Sequence, residues 1–202
     1  MKTKIKICGL FRPEDIGYAN QVKPDYIGFV FWERSRRYVS RERAAALKEK
    51  LNPEIQAVGV FVDAPCEEIT ALLRDGIIDA AQLHGGETEA DIRRIQEASG
   101  KTVIKAVQVR DRRDVEAWLN SSAEYLLFDS GQGSGATFDW RLLDSVRRKY
   151  FLAGGLDVEN LKRVLDEMAS YGIDVSSGVE TEGKKDLEKM RAVTELVRSR
   201  FR

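Results

Sequence analysis

The 202-residue sequence carries no excess of charge: 33 lysines and arginines balance 33 aspartates and glutamates. A chain that grips a polyanion concentrates cations to displace its counterions, so this balance argues against nucleic acid as a partner. Cysteine is scarce, with only Cys8 and Cys66. Two are too few for a disulfide framework, and a reducing compartment is the simpler expectation. Histidine is scarcer still, His84 alone. No Cys/His set has metal-ligand spacing, and neither a P-loop nor a G-x-G-x-x-G after the first strand is present. The longest apolar run, Tyr26 to Trp32, is far short of the ~20 residues a membrane span needs. The N-terminal MKTKIKICGL alternates lysine with apolar residues and lacks the apolar stretch of a signal peptide. The expectation is a cytoplasmic protein with neither nucleic-acid nor membrane partners.

What is present describes a globular protein, with 43% hydrophobic and 33% charged residues. A chain of this size hides roughly 70% of its unfolded surface, enough for a sizeable core. No Pro/Gly/Ser linker or shift of composition divides residues 1–202, so one domain is expected. Short β-branched apolar runs recur at Lys4–Cys8, Tyr26–Phe31, Gln56–Val62, Ala80–Leu83, Thr102–Val109, Tyr125–Asp129, Tyr150–Ala153 and Ile173–Ser176. Helical patterns separate them at Glu14–Val22, Arg41–Leu51, Cys66–Arg74, Glu89–Ser99, Arg113–Leu119, Trp140–Arg148, Val158–Tyr171 and Asp186–Arg200. Strict alternation implies parallel strands joined by right-handed crossovers. An open doubly wound sheet and a closed (β/α)8 TIM barrel both satisfy it. The count of pairs favours the barrel, and the length is near the lower limit of ~200 residues for that fold.

In such a barrel the functional residues lie at the C-terminal ends of the strands. Those ends read Cys8-Gly9, Arg36-Arg37, Asp63, His84-Gly85-Gly86, Asp129, Gly154-Gly155, and Asp174 with Ser176-Ser177-Gly178. Glycine gathers after the last three strands, at Gly131–Gly135, Gly154-Gly155 and Gly178. Convergent backbone N–H groups and a helix N-terminus suit a phosphate, although glycines also make plain tight turns. Cys8 is either a small buried hydrophobe or, on the rim, a reactive thiol. Cys66 opens a helix beside Glu67 and Glu68, where the hydrophobe reading holds. Asp129 follows the apolar Tyr125–Phe128, where partial desolvation favours a retained proton; the alternative is a turn or capping aspartate. For His84, an acid/base group, a substrate contact and a structural hydrogen bonder stay open.

The motifs Lys6-Ile-Cys-Gly-Leu, Gly28-Phe-Val-Phe, Ser35-Arg-Arg-Tyr-Val-Ser, Val58-Gly-Val-Phe-Val and Gln82-Leu-His-Gly follow in order along the chain. Gly133-Ser-Gly-Ala-Thr-Phe-Asp-Trp, Ala153-Gly-Gly-Leu and Asp174-Val-Ser-Ser-Gly-Val-Glu complete the set. Together they resemble the N-(5′-phosphoribosyl)anthranilate isomerases of tryptophan biosynthesis across nearly the whole chain. The resemblance implies a (β/α)8 barrel that rearranges phosphoribosylanthranilate to 1-(o-carboxyphenylamino)-1-deoxyribulose 5-phosphate with neither metal nor cofactor. It implies Cys8 as general base and Asp129 as general acid. Arg37 would hold the anthranilate carboxylate, and His84 and Asp174 would lie near the substrate. Gly133, Ser134, Gly135, Gly154, Gly155, Ser176, Ser177 and Gly178 would bind the phosphate. A monomer is expected rather than a homodimer. A broad-specificity phosphosugar isomerase and a non-catalytic barrel are the alternatives, and intact Cys8 and Asp129 weigh against both.

One expectation goes beyond the motifs. Side chains alternate along a strand, so if Cys8 points into the barrel mouth, Lys6 points into the barrel beneath it. Its ammonium then needs polar partners, with Gln82 and Asp174 as candidates. A cation there would favour the thiolate, drawing Cys8 below the ~8.5 of a free thiol.

Overall fold

The computed structural model describes residues 3–131 and 138–199. Eight parallel strands, β1 Lys4–Cys8, β2 Tyr26–Val30, β3 Gln56–Phe61, β4 Ala80–Leu83, β5 Thr102–Gln108, β6 Tyr125–Asp129, β7 Tyr150–Leu152 and β8 Gly172–Val175, pair in chain order. β1 bonds β2 on one side and β8 on the other, so the sheet closes into the expected barrel. Strands covered on both faces read as continuous apolar runs, which is why they were legible. Among the described residues seven helices wrap them: α1 Pro13–Val22, α2 Arg41–Lys48, α3 Cys66–Arg74, α4 Glu89–Ser99, α5 Arg112–Glu116, α6 Val158–Glu167 and α7 Leu187–Ser199. Ser40, Thr88, Asp111 and Asp157 cap four of them through side-chain oxygens on first-turn N–H groups. No described helix is long and apolar enough to cross a membrane.

Ile5, Ile7, Ile27 and Phe29 face outward and pack in the main apolar core. Inward-facing Tyr26, Val58, Ala80, Ile104, Leu127 and Phe151 fill the barrel, with Tyr125 and Tyr171 packed against them. Above that plug the interior turns polar. Lys6 is fully buried and donates to Asp174 Oδ2 at 2.9 Å across the β1–β8 register, so of the two expected partners Asp174 is the one used.

The sixth crossover departs from its pattern. Instead of a helix over Trp140–Arg148 there is a single 3₁₀ turn, Trp140–Leu143, capped by Asp139. Arg148 is drawn elsewhere: its guanidinium donates to the carbonyls of Trp118, Leu119, Ser121 and Ala123, in the segment that follows the early end of α5. A tertiary demand for donors outweighs a weak local helix preference. Helix α6 likewise stops at Glu167 rather than Tyr171, because Met168 adopts an extended conformation. After β8 comes an unexpected antiparallel hairpin, Glu180–Thr181 against Lys184–Lys185. Both central residues of its turn, Glu182 (φ 52°) and Gly183 (φ 75°), are left-handed, the geometry that two-residue hairpins favour.

Candidate active site

The C-terminal ends of the strands enclose a cavity of about 720 Å³. Cys8, Arg37, His84, Asp129, Asp174, Gly154, Gly155, Ser176 and Ser177 all line it. Gly178 does not: it backs onto the Leu156 carbonyl and Asp157, in space a Cβ would fill. Gly133, Ser134 and Gly135 lie outside the described residues. Asp63 turns away with a left-handed backbone (φ 54°) and accepts from Gly86 N at 2.6 Å, and Cys66 is buried in the core outside this cavity.

Cys8 closes β1, in register with Gly28. A Cβ at Gly28 would stand 2.6 Å from Cys8 Sγ, so glycine there gives the thiol its room. Burial pushes the thiol above its ordinary value, and the pull of Lys6 and Lys185 toward the thiolate does not overcome it. The expected low pKa is therefore corrected: Lys6 has the foreseen place and sign, but desolvation wins. Lys6 stays charged because Asp174 and Cys8 outweigh the cost of its own burial.

Asp129 closes β6. Its Oδ1 accepts from Gly131 N at 3.0 Å, and its Oδ2 lies 3.5 Å from His84 Nε2. Gly154 (φ 90°) passes so close that a Cβ would meet Asp129 Oδ1 at 2.9 Å. Burial pushes the carboxyl up, as expected, but His84 and the backbone N–H outweigh it, and the net displacement is downward. The expectation of a retained proton is thus also corrected; Asp129 is a carboxylate here. His84 in turn meets Gln82, whose Nε2 is 3.1 Å from Nδ1.

Arg37 lines the cavity, but its Nε and Nη2 are bound to Glu180 at 2.7 and 2.9 Å. Glu180 also accepts from Lys185 at 2.7 Å and Arg36 at 3.0 Å. Although burial opposes it, this crowd of cations holds Glu180 down to about 2. Three cations around one carboxylate leave a positive surplus beside Cys8, which suits an anion in the cavity. Glu180 closes the motif Asp174-Val-Ser-Ser-Gly-Val-Glu but had no role assigned, and Lys185 was missed, because both belong to the short hairpin. Its signal was Glu182-Gly183, a weaker relative of the Asn-Gly and Asp-Gly turns. Trp32, 39% exposed, completes the mouth.

A second buried pair supports the site from outside the barrel. Lys105 faces the helices, bonds Glu87 Oε2 at 2.9 Å and the Gly85 carbonyl at 2.7 Å, and so ties down the turn that carries His84.

Comparison with known proteins agrees with this arrangement. Residues 5–196 match the family described as N-(5′-phosphoribosyl)anthranilate (PRA) isomerase. The N-(5′-phosphoribosyl)anthranilate isomerase of Endomicrobium trichonymphae is 43% identical, over 97% of this chain and 98% of its own length. The crystal structure of phosphoribosyl anthranilate isomerase from Thermotoga maritima superposes with a TM-score of 0.90 at 37% identity, covering 98% of this chain and 99% of that one. A phosphoribosyl anthranilate isomerase in complex with reduced 1-(o-carboxyphenylamino)-1-deoxyribulose 5-phosphate superposes with a TM-score of 0.88 at 36% identity and the same coverage. With its rim thiol, its ring-paired carboxylate and this match over nearly its full length, the chain belongs to the N-(5′-phosphoribosyl)anthranilate isomerase family.

Proposed function

We propose that this protein carries out the Amadori rearrangement of N-(5′-phosphoribosyl)anthranilate to 1-(o-carboxyphenylamino)-1-deoxyribulose 5-phosphate. The observation that carries the assignment of roles is that Cys8 of β1 and Asp129 of β6 border one cavity. Strands one and six are well separated around the ring, so the two groups approach a bound sugar from different sides. Asp129 protonates the ribose ring oxygen as the C1′–O bond breaks and the anilino nitrogen forms the iminium. The Cys8 thiolate removes the C2′ proton, and the resulting enolamine tautomerises to the ketone.

The free protein holds the opposite protonation, a thiol at Cys8 and a carboxylate at Asp129. The productive state requires the thiol to lose a proton and the carboxylate to gain one. A bound substrate excludes water and brings its own anions, and both effects raise Asp129. The Arg37–Lys185 surplus receives the anthranilate carboxylate, while Gly154, Gly155, Ser176 and Ser177 offer the phosphate site on the rim. Phosphate sites in this fold favour the loops after strands seven and eight. The protein acts as a single-domain cytoplasmic monomer, and sedimentation at micromolar concentration checks the last point.

Turnover of fluorescent phosphoribosylanthranilate tests the roles. Cys8→Ala and Asp129→Asn should each lose roughly 10²-fold or more in kcat, the range of general acid and base terms, with melting temperatures near wild type. Near-wild-type turnover by either folded variant removes that residue from its role.

A further inference from the structure

The proposed reaction leaves Gln82, a polar side chain lining the cavity, unused. Gln82 stands on the inward face of β4, two residues before His84, and is 1% exposed. Its Nε2 is 3.1 Å from His84 Nδ1, while its Oε1 is buried without a hydrogen-bond partner. Buried polar atoms in native proteins are nearly always satisfied, so an orphan beneath a reaction site points to a second state in which it is used. His84 continues the line, with Nε2 3.5 Å from Asp129 Oδ2.

Two protonation states of the ring fit this line. With His84 neutral, the Asp129 carboxylate only accepts, so the ring proton lies on Nε2 and the Nδ1 lone pair takes the Gln82 N–H. With His84 protonated, Nδ1 carries a proton and needs an acceptor. Rotation of the Gln82 amide supplies Oε1, the atom now without a partner. A carboxamide offers both a donor and an acceptor, and so serves both states.

We propose that Gln82 is the positioning residue of a Gln82–His84–Asp129 proton relay, in which protonated His84 supplies the proton that Asp129 delivers to the ring oxygen. The relay rests on the acid role of Asp129 given above. In the first transfer the His84 Nε2–H bond breaks as the Asp129 Oδ2–H bond forms. In the second, Oδ2–H breaks as the ring oxygen takes the proton and the electron pair of its bond to C1′. His84 is left neutral and Asp129 a carboxylate; solvent then reprotonates His84 and takes from Cys8 the proton it removed from C2′. An ionised Asp129 thereby serves as an acid, because its proton is stored on the adjacent ring.

Other charges surround the pair. Asp174 on β8, paired with Lys6, lines the same cavity. Behind the turn after β4 stand Asp63 and the Glu87–Lys105 ion pair. Burial holds the Cys8 thiol above its ordinary value, and the productive form, with ring protonated and thiol ionised, gives a bell-shaped profile whose basic limb belongs to the thiol. The acidic limb of the kcat/KM profile therefore follows His84. The plateau falls about tenfold for each unit by which the ring pKa drops.

His84 is the sole histidine, so its ring ¹⁵N shifts can be followed in the whole protein. In wild type the neutral ring should be the Nε2–H tautomer, and its pKa should coincide with the acidic limb of kcat/KM. Gln82→Met should lower both together by about one unit and reduce kcat/KM about tenfold through kcat, with KM within about twofold. Gln82→Glu, an acceptor only, should raise both, and it decides the matter if the methionine variant does not fold. An Nδ1–H tautomer in wild type, or a Gln82 variant in which ring pKa and limb stay at wild-type values, overturns the relay and leaves Asp129 as the acid. Near-wild-type activity of Asp129→Asn instead overturns the acid role and the relay together.

Discussion

Replacing Lys6 with methionine tests how the floor of the site is held and whether it tunes the base. Lys6 has no exposed side-chain surface and Asp174 only 9%, with 2.9 Å between their charged atoms. Asp174 Oδ1 already lacks a partner, so removing the ammonium leaves a buried carboxylate with no cation. Breaking one side of such a pair costs about 3–5 kcal/mol. In a chain of this length that is a fall in melting temperature of roughly 6–20 °C. The same cation draws Cys8 toward the thiolate against burial. Its loss should raise the alkylation midpoint of Cys8, read with iodoacetamide in a Cys66→Ser background, by about one unit or more. Each unit slows alkylation about tenfold at a fixed pH below the midpoint. The double variant Lys6→Met, Asp174→Leu should regain most of the stability, since apolar replacement of both partners of a buried pair is often neutral. Its midpoint should come part of the way back, because the Asp174 carboxylate opposes the thiolate. An unchanged midpoint in Lys6→Met would make Lys6 a structural cation alone. A loss of under about 1 kcal/mol would refute the accounting for the buried pair.

Gly155→Asp should raise KM steeply while sparing the fold, because its left-handed backbone (φ 60°) is one aspartate tolerates; a KM within twofold of wild type displaces the phosphate site. Inorganic phosphate should compete with substrate and raise the melting temperature as a ligand of the folded state, and neither effect at 100 mM would count against the same location. Glu180 titrates near 2 in the fold, below its unfolded value of ~4.3. Its contribution, on the order of 3 kcal/mol, is present above pH ~4.3 and lost as pH falls toward 2. Glu180→Gln should therefore lower the melting temperature at pH 7 and flatten its fall between pH ~4.3 and 2. Parallel wild-type and variant curves would show that the cluster does not stabilise the fold.

The order and kind of the main elements were legible because each strand is buried on both faces and each crossover helix on one. Runs such as Gln56–Phe61 and caps such as Thr88 with Asp91 carry that information locally. The rim residues followed from topology alone: once eight parallel strands close, Cys8, His84 and Asp129 must meet at one mouth. What local sequence could not carry is any property set by distant partners. The stretch 140–148 has helical composition, yet Arg148 serves four carbonyls some 25–30 residues earlier in the chain. Lys105, in a strand that reads as apolar, is neutralised outside the barrel by Glu87 of another loop. The protonation of Cys8 and Asp129 is likewise a sum of burial and of charges on other strands. An apolar run predicted desolvation correctly for Asp129 and missed the ring of His84 that outweighs it. Composition and periodicity thus determine the barrel and its rim, whereas the proton inventory of the site is decided only when the strands close and bring β1, β4, β6 and β8 within reach of one another.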